Sequence, residues 1–192
     1  TYDPINCNCP QSEYGKMADW DVSNVTDMSI LFKNKANFNA NIKNWDVSNV
    51  ISMGSMFEKA TNFNRDINDW DVSNVSNMGK MFYGARYQRY IGDWDVSSVI
   101  SMSRMFSGSG SAIDLYNFIP EGIENWDVSS VVDFGYMFYR TIGDIDISSW
   151  DVSSARNMER MFQLAIDIST DVSNWDVANV IDMVGIFRSA KN

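Results

Sequence analysis

Seven aspartates recur at nearly even spacing, and they are the side chains of this sequence with the clearest capacity for chemistry. Each follows a tryptophan, and in six copies a serine stands two residues further on. The aspartates are Asp21, Asp46, Asp71, Asp95, Asp127, Asp151 and Asp176. If parallel strands stacked them about 4.8 Å apart, neighbouring carboxylates would repel by on the order of 1 kcal/mol per pair, so something must offset that repulsion.

Two kinds of contact would offset this repulsion. An aspartate side chain can accept hydrogen bonds from backbone amides two or three residues ahead, and the nearby serine hydroxyl can join in. Alternatively, a calcium ion can take carboxylate, hydroxyl and carbonyl oxygens as ligands. We favour the local hydrogen bonds, because nothing in the sequence resembles a Gly- and Asp-rich calcium loop. We therefore predict a candidate binding surface of aspartates with no resident metal or cofactor.

Catalytic arrangements are missing from the sequence. It contains no histidine, which removes the commonest general base and the commonest metal ligand together. No phosphate-binding Gly-rich loop occurs. The aspartates do not indicate the paired carboxylates of a glycosidase, because any repeat produces a column of identical residues. The two cysteines, Cys7 and Cys9, are too few for a closed zinc site. They are predicted to lie in an N-terminal cap, bonded to each other or to another chain. We predict that the protein is not an enzyme.

Composition limits the partners. The net charge of -10 and the pI near 4.3 disfavour nucleic acid and anionic membrane surfaces, both of which recruit clustered lysine and arginine. No run approaches the roughly 20 apolar residues of a membrane span, and residues 1–10 lack the pattern of a signal peptide. We expect a protein or glycan partner, no nucleic acid and no transmembrane segment.

The aspartates belong to a repeat that accounts for most of the chain. The motif Trp-Asp-Val-Ser recurs at intervals of 25, 25, 24, 32, 24 and 25 residues, with Ala in place of Ser in the last copy. Such a period is typical of a repeat array. The copies begin at Trp20, Trp45, Trp70, Trp94, Trp126, Trp150 and Trp175. We assign residues 1–19 to an N-terminal cap and residues 20–192 to a seven-repeat solenoid.

Each repeat is predicted to contain one short strand and one short helix. Trp70 and Val72 are two apart, which is strand spacing and directs Asp71 to the opposite face. Met78 and Met81 are three apart and form the apolar stripe of a helix of about two turns. We expect both columns in the core; the alternatives are an exposed aromatic ladder that binds glycans and a methionine-rich binding groove. The predicted fold class is α/β: a leucine-rich-repeat-like solenoid of seven short parallel strands, each followed by a short helix.

Two departures from the repeat are further candidates for binding. The insertion at 107–122 lengthens one interval to 32 residues. It is either a binding loop, with Tyr116 and Phe118 as candidate ligand-binding residues, or a surface excursion that packs against the coil. The second departure is Arg86-Tyr87-Gln88-Arg89-Tyr90, where the repeat shortens by one residue and becomes basic and aromatic. Together with four arginines of later repeats, it forms either a positive patch or an ordinary solvated, salt-bridged surface. The four are Arg104, Arg140, Arg156 and Arg160.

The fuller unit, Trp-Asp-Val-Ser-Asn-Val-x-x-Met-x-x-Met-Phe-x-x-Ala-x-x-Phe-Asn, resembles a known repeat. Its first six letters occur unchanged at Trp45 and at Trp70. The unit is similar to the roughly 25-residue repeat of the BspA-like leucine-rich-repeat surface proteins. The resemblance covers about Trp20 to Ala190 and implies a surface or secreted binding and adhesion role without enzymatic activity. No binding residues are carried over from that family, because the motif marks core positions.

We therefore predict a non-enzymatic module for protein or glycan recognition and adhesion, at a cell surface or outside the cell. The alternative is a structural subunit that associates with other copies through the ends of the solenoid. A third hypothesis is an Asp/Ser ladder that binds calcium, ice or a mineral surface.

Overall fold

The computed structural model describes residues 15–109, 117–168 and 170–191. In these ranges the regular elements are two short 3-10 helices, η1 and η2, and two short strands, β1 and β2. Their bounds are Met17–Asp19 for η1, Asn117–Phe118 for β1, Ile123–Asn125 for η2 and Thr141–Ile142 for β2. The strands pair in parallel, with Phe118 opposite Ile142. No α-helix occurs in the described part of the chain.

Some predicted features lie outside the described residues. These are the cysteine pair Cys7 and Cys9, most of the 1–19 cap, and Tyr116 in the insertion.

The predicted α/β leucine-rich-repeat solenoid, with seven strands and seven helices, is wrong. The motif Trp-Asp-Val-Ser forms a tight turn in place of a strand, since the Val75 amide donates to the Val72 carbonyl at 2.9 Å. This turn still buries Trp70 and Val72 and exposes Asp71, which is why it imitates the spacing of a strand. Successive repeats pair instead through parallel bridges seven residues after each tryptophan, and a second column of bridges joins Ile142, Ile166 and Lys191 in the last three repeats. The bridged residues of the first column are Asp27, Ser52, Asn77, Ser101, Asp133, Asn157 and Asp182.

Left-handed residues explain why the methionine segment is not a helix. Lys80, between Met78 and Phe82, has a φ of 57°, and such a residue interrupts a right-handed helical run. The backbone amides then alternate in direction. Those of Met78 and Lys80 donate to carbonyls of the next repeat, whereas that of Met81 donates to Met78 within its own repeat. The same position is left-handed in every repeat, at Ile30, Ser55, Lys80, Arg104, Tyr136, Arg160 and Gly185.

The prediction of a tryptophan and methionine core is confirmed for the interior repeats. Five tryptophans, at positions 45, 70, 94, 126 and 150, are only 3–4 % exposed. The methionine columns of the second to sixth repeats are fully buried, which excludes a methionine-rich surface groove there. At the two ends of the described stack the columns emerge, with Trp20 42 % and Phe187 47 % exposed.

Tryptophan also ties the repeats together. From the second repeat to the seventh, each indole N–H donates to a backbone carbonyl of the segment one repeat earlier, at 2.9–3.3 Å. Phenylalanine rings stack along the same axis; Phe57 and Phe82, for example, have centroids 5.6 Å apart. The core is therefore a set of parallel columns, each of which runs through all the repeats.

Candidate functional site

The seven predicted site aspartates lie exposed at equivalent positions of the stack. In every copy the Oδ1 atom accepts a hydrogen bond of 3.0 or 3.1 Å from the amide two residues ahead. In four copies the serine hydroxyl donates to the same atom at 2.6 Å. These contacts confirm the local hydrogen bonds expected from the sequence, and they fix the turn that starts each repeat.

Hydrogen bonding also lowers the pKa of four of these aspartates. The hydroxyl of Ser48 and then its amide lower the pKa of Asp46, while the nearby charge of Asp21 acts in the opposite direction. The pKa values of Asp21, Asp95 and Asp151 are likewise lowered by the hydroxyl and the amide of the serine two residues after each aspartate. Within the described ranges, no three carboxylate or thiol groups are arranged to hold a metal ion.

The end of the insertion packs against the stack. Asn117 is 1 % exposed, its side-chain amide donates to the Phe82 carbonyl at 2.8 Å, and its Oδ1 accepts from the Arg86 amide at 2.6 Å. Phe118, a predicted ligand-binding residue, is half-buried in β1 and pairs with Ile142. For this part of the insertion, the structure favours the packed excursion over the binding loop.

A second surface brings together residues that are far apart in the sequence. Arg104, Arg140 and Arg160 line one open cleft with Tyr83, Tyr136 and Tyr139, and the cleft has a volume of about 390 Å³. We call it the arginine–tyrosine cleft. Three of the six arginines of the alternative positive patch are therefore gathered in one place, whereas Arg86, Arg89 and Arg156 do not line the cleft.

Tyr136 is the centre of this cleft. The guanidinium carbon of Arg104 lies 3.9 Å from the centroid of its ring, and that of Arg160 lies 5.5 Å away. The Tyr136 hydroxyl donates to Glu159 at 2.8 Å, and the Arg160 Nε lies 3.4 Å from the same carboxylate oxygen. Tyr139 meets the Tyr136 ring edge-on, with centroids 5.7 Å apart. Two cations thus share one aromatic ring.

The repeat itself creates this arrangement. Arg104, Tyr136 and Arg160 each lie ten residues after the tryptophan of consecutive repeats, at the left-handed position. Lys80 holds that position in the preceding repeat. Burial and the hydrogen bond to Glu159 raise the pKa of Tyr136, which keeps its ring neutral. The signal that would have revealed the site is this column of Lys, Arg, Tyr and Arg, which becomes visible only when the repeats are aligned across the insertion.

The chemistry of the cleft is that of binding. Guanidinium groups donate paired hydrogen bonds to carboxylate, sulfate and phosphate oxygens, and tyrosine rings pack against the faces of ligand rings.

No helix of the described chain is long and apolar enough to cross a membrane.

Comparison with curated proteins finds no match, and comparison with solved structures finds none either. A family model described as "Mycoplasma protein of unknown function, DUF285" matches residues 6–118 and again residues 110–192. Because these two matches together span nearly the whole chain, the protein belongs to this DUF285 family.

Proposed function

We propose that this protein is a non-enzymatic recognition module that binds an anionic group of a protein or glycan partner in the arginine–tyrosine cleft. The observation that supports this function is the convergence of Arg104 and Arg160 on the ring of Tyr136. Like charges on one ring repel each other, and Glu159 contacts only Arg160 of the two. A bound oxyanion would offset that repulsion.

Binding arrays test this function with a matched pair of variants. Wild-type protein, Arg104→Gln and Arg156→Gln are each applied to an array of defined glycans and an array of defined peptides. Arg156 is exposed and lies outside the cleft, so its variant loses the same charge elsewhere. We expect anionic ligands that bind wild type and Arg156→Gln but not Arg104→Gln. If all three proteins bind the same set of ligands, the cleft is not the recognition site.

A second candidate function is stacking of copies end to end, and hydrogen-bonding groups at the two ends of the described stack support it. Four amides of the seventh repeat have no hydrogen-bond partner in the part of the chain that the structure describes: those of Met183, Gly185, Phe187 and Ser189. Four carbonyls of the first repeat are equally unpaired within that part: those of Asp27, Ser29, Leu31 and Lys33. Donors at one end match acceptors at the other, so copies would join head to tail. Any repeat at the end of a stack would expose donors on one side and acceptors on the other in the same way.

Light scattering over a concentration series tests the stacking function. We expect the mass of the 192-residue chain to rise above 21.9 kDa with concentration. The variant Phe187→Glu should prevent this rise, because it places a charge on the exposed end. The control Ile51→Glu alters a side chain that is also exposed, at 53 %, on an interior repeat. A constant monomer mass for the wild type would exclude stacking of this chain.

A further inference from the structure

We infer, on the basis of the function proposed above, that the ligand of the arginine–tyrosine cleft is an acidic polysaccharide held through its sulfate or carboxylate groups. Three observations lead to this class of ligand: the cations along the stack, the available donors of the Arg104 guanidinium and the occupied hydrogen-bonding groups of the backbone.

The cations form a row along the stack. Lys80, Arg104 and Arg160 occupy one position of the repeat, with Tyr136 between the two arginines. Neighbouring repeats that pair in parallel lie about 4.8 Å apart, so Arg104 follows Lys80 after one repeat and Arg160 follows Arg104 after two. Lys80 extends the row beyond the residues that line the cleft. In the described residues, no carboxylate lies within salt-bridge distance of Lys80 or Arg104. An extended polymer with several anionic groups can reach all three cations, whereas a single small anion cannot.

Arg104 is prepared to bind an oxyanion. Its guanidinium group lies 3.9 Å from the Tyr136 centroid, and none of its N–H groups has a hydrogen-bond acceptor in the described chain. An arginine that stacks on an aromatic ring is restricted in conformation while its donors stay available for carboxylate or sulfate oxygens. Tyr136 therefore acts as a positioning residue for Arg104.

The backbone beneath the cleft disfavours a peptide ligand. The amides of Arg104, Tyr136 and Arg160 all donate to carbonyls of the next repeat. The carbonyls of the same three residues all accept from amides three residues later in the chain. An extended peptide that binds by strand addition needs free backbone groups, and these residues offer none. A polysaccharide needs only the charged side chains and the half-buried ring of Tyr139.

Nucleic acid matches the row less well. Double-stranded DNA carries one charge per about 1.7 Å, which is much denser than three cations over four repeats about 4.8 Å apart.

Calorimetric titration of the full chain with defined polymers tests this ligand class. The probes are dextran sulfate, polygalacturonate and unmodified dextran, and the first two separate sulfate from carboxylate recognition. We expect at least one acidic polymer to bind and dextran not to bind. Arg104→Gln and Arg160→Gln should each weaken binding about tenfold, the effect of one lost charge-assisted contact, and Arg156→Gln should leave it unchanged. Affinity should also fall as salt is added.

Two variants of Tyr136 test its positioning role. Tyr136→Phe keeps the ring and removes only the hydrogen bond to Glu159, so binding should stay near the wild-type level. Tyr136→Leu removes the ring, and we expect it to weaken binding about as much as Arg104→Gln does. Urea denaturation of each variant verifies that it is folded. If Tyr136→Leu is unfolded, Arg104→Lys, which keeps the charge but not the planar fork, replaces it as the test of stacking.

Different failures have different meanings. If polyglutamate, a phosphopeptide or single-stranded DNA binds through Arg104 while the acidic polysaccharides do not, recognition by the cleft stands and the polysaccharide assignment is overturned. If dextran sulfate binds equally well to wild type and both arginine variants, its binding is non-specific and the assignment is also overturned. If no probe of any class depends on Arg104 or Arg160, the proposed function fails as well.

Discussion

The indole Nε1 of Trp94 donates a hydrogen bond of 3.0 Å to the carbonyl oxygen of Ile67. Both residues are buried, with the tryptophan 3 % exposed and the isoleucine fully enclosed. This carbonyl also accepts a hydrogen bond of 3.2 Å from the Trp70 amide, so both of its acceptor positions are used next to the apolar columns of the core. One side chain therefore supplies both the packing and the polar contact between adjacent repeats.

Substitution of this tryptophan should destabilise the fold. Trp94→Phe keeps an aromatic ring but removes one of the two hydrogen bonds to the buried Ile67 carbonyl and part of the buried ring system, and we expect a loss of about 1–3 kcal/mol in the free energy of unfolding. Urea denaturation measures the loss. Trp175→Phe is the matched control, because Trp175 is only half-buried and its bond is longer, at 3.3 Å. An equal cost at both positions would show that burial of the indole hydrogen bond is unimportant.

Relief of backbone strain should stabilise the first repeat. Ile30 is β-branched, has a φ of 60° and is 62 % exposed, so it gains little packing from an unfavourable backbone conformation. We expect Ile30→Gly to raise the free energy of unfolding by about 1 kcal/mol, since the strain removed exceeds the added entropy of the unfolded chain. Ile100→Gly should do the opposite, because Ile100 is also exposed, at 47 %, but does not have a positive φ. Urea denaturation of both variants measures the two shifts; loss of stability in both would contradict the role of strain.

Acid should weaken the turns that begin the repeats. Hydrogen bonds from serine lower the pKa of Asp46 in the folded state below its unfolded value of about 3.9. Such a group stabilises the fold fully above the unfolded pKa, and its contribution disappears as the pH falls through the folded pKa. The expected result is a urea midpoint that is steady from about pH 7 to pH 5 and decreases below about pH 4.

The variant Asp46→Asn isolates this effect. Its side-chain oxygen still accepts from the Ser48 amide but does not titrate, so the acid-induced decrease should be smaller than in the wild type. At neutral pH the variant should lose little stability, since it also removes the repulsion from Asp21. Identical pH profiles for the two proteins would mean that Asp46 does not contribute to acid sensitivity.

Calcium should not change the stability of the chain. Each aspartate of the column already accepts a local hydrogen bond, as Asp71 does from Ser73 at 3.1 Å, so no ion is needed to hold the turns. Thermal unfolding in excess calcium and in excess chelator should give the same curve. A higher melting temperature in calcium would assign a cation to the column instead.

The core could be predicted from the sequence, whereas the local backbone could not. Burial of Trp70 and exposure of Asp71 depend only on the period of the repeat, and a turn satisfies that pattern as well as a strand does. The spacing of three residues between Met78 and Met81 places both side chains in the core whether the segment is a helix or a series of turns. Glycine would have signalled the left-handed residue between them, but Lys80 stands there. Hydrogen bonds to the next repeat hold Lys80 in this conformation, and such bonds depend on tertiary contacts that local propensity does not contain.

Only part of the candidate site could be predicted from the sequence, for a similar reason. Arg104 and Arg160 could be recognised as a possible cluster of charge from the sequence, but their meeting point on Tyr136 depends on the stacking of three repeats. The insertion at 107–122 lies between Arg104 and Tyr136 and hides their equivalence. The aspartates were more prominent as a motif, although their hydrogen bonds serve the turns.

The alternating amides of the methionine segment give the molecule an electric axis. Between the second and third repeats, four amides donate forward along the stack and one, that of Ser76, donates back to Ile51. Most of these peptide dipoles therefore point the same way and add up, as they do along an α-helix. The sense is reversed from that of a helix, because carbonyl oxygens face outward at the first repeat and N–H groups at the seventh. An anionic chain that lies along the stack would thus be attracted more strongly towards the seventh repeat, where the N–H groups face outward, than towards the first.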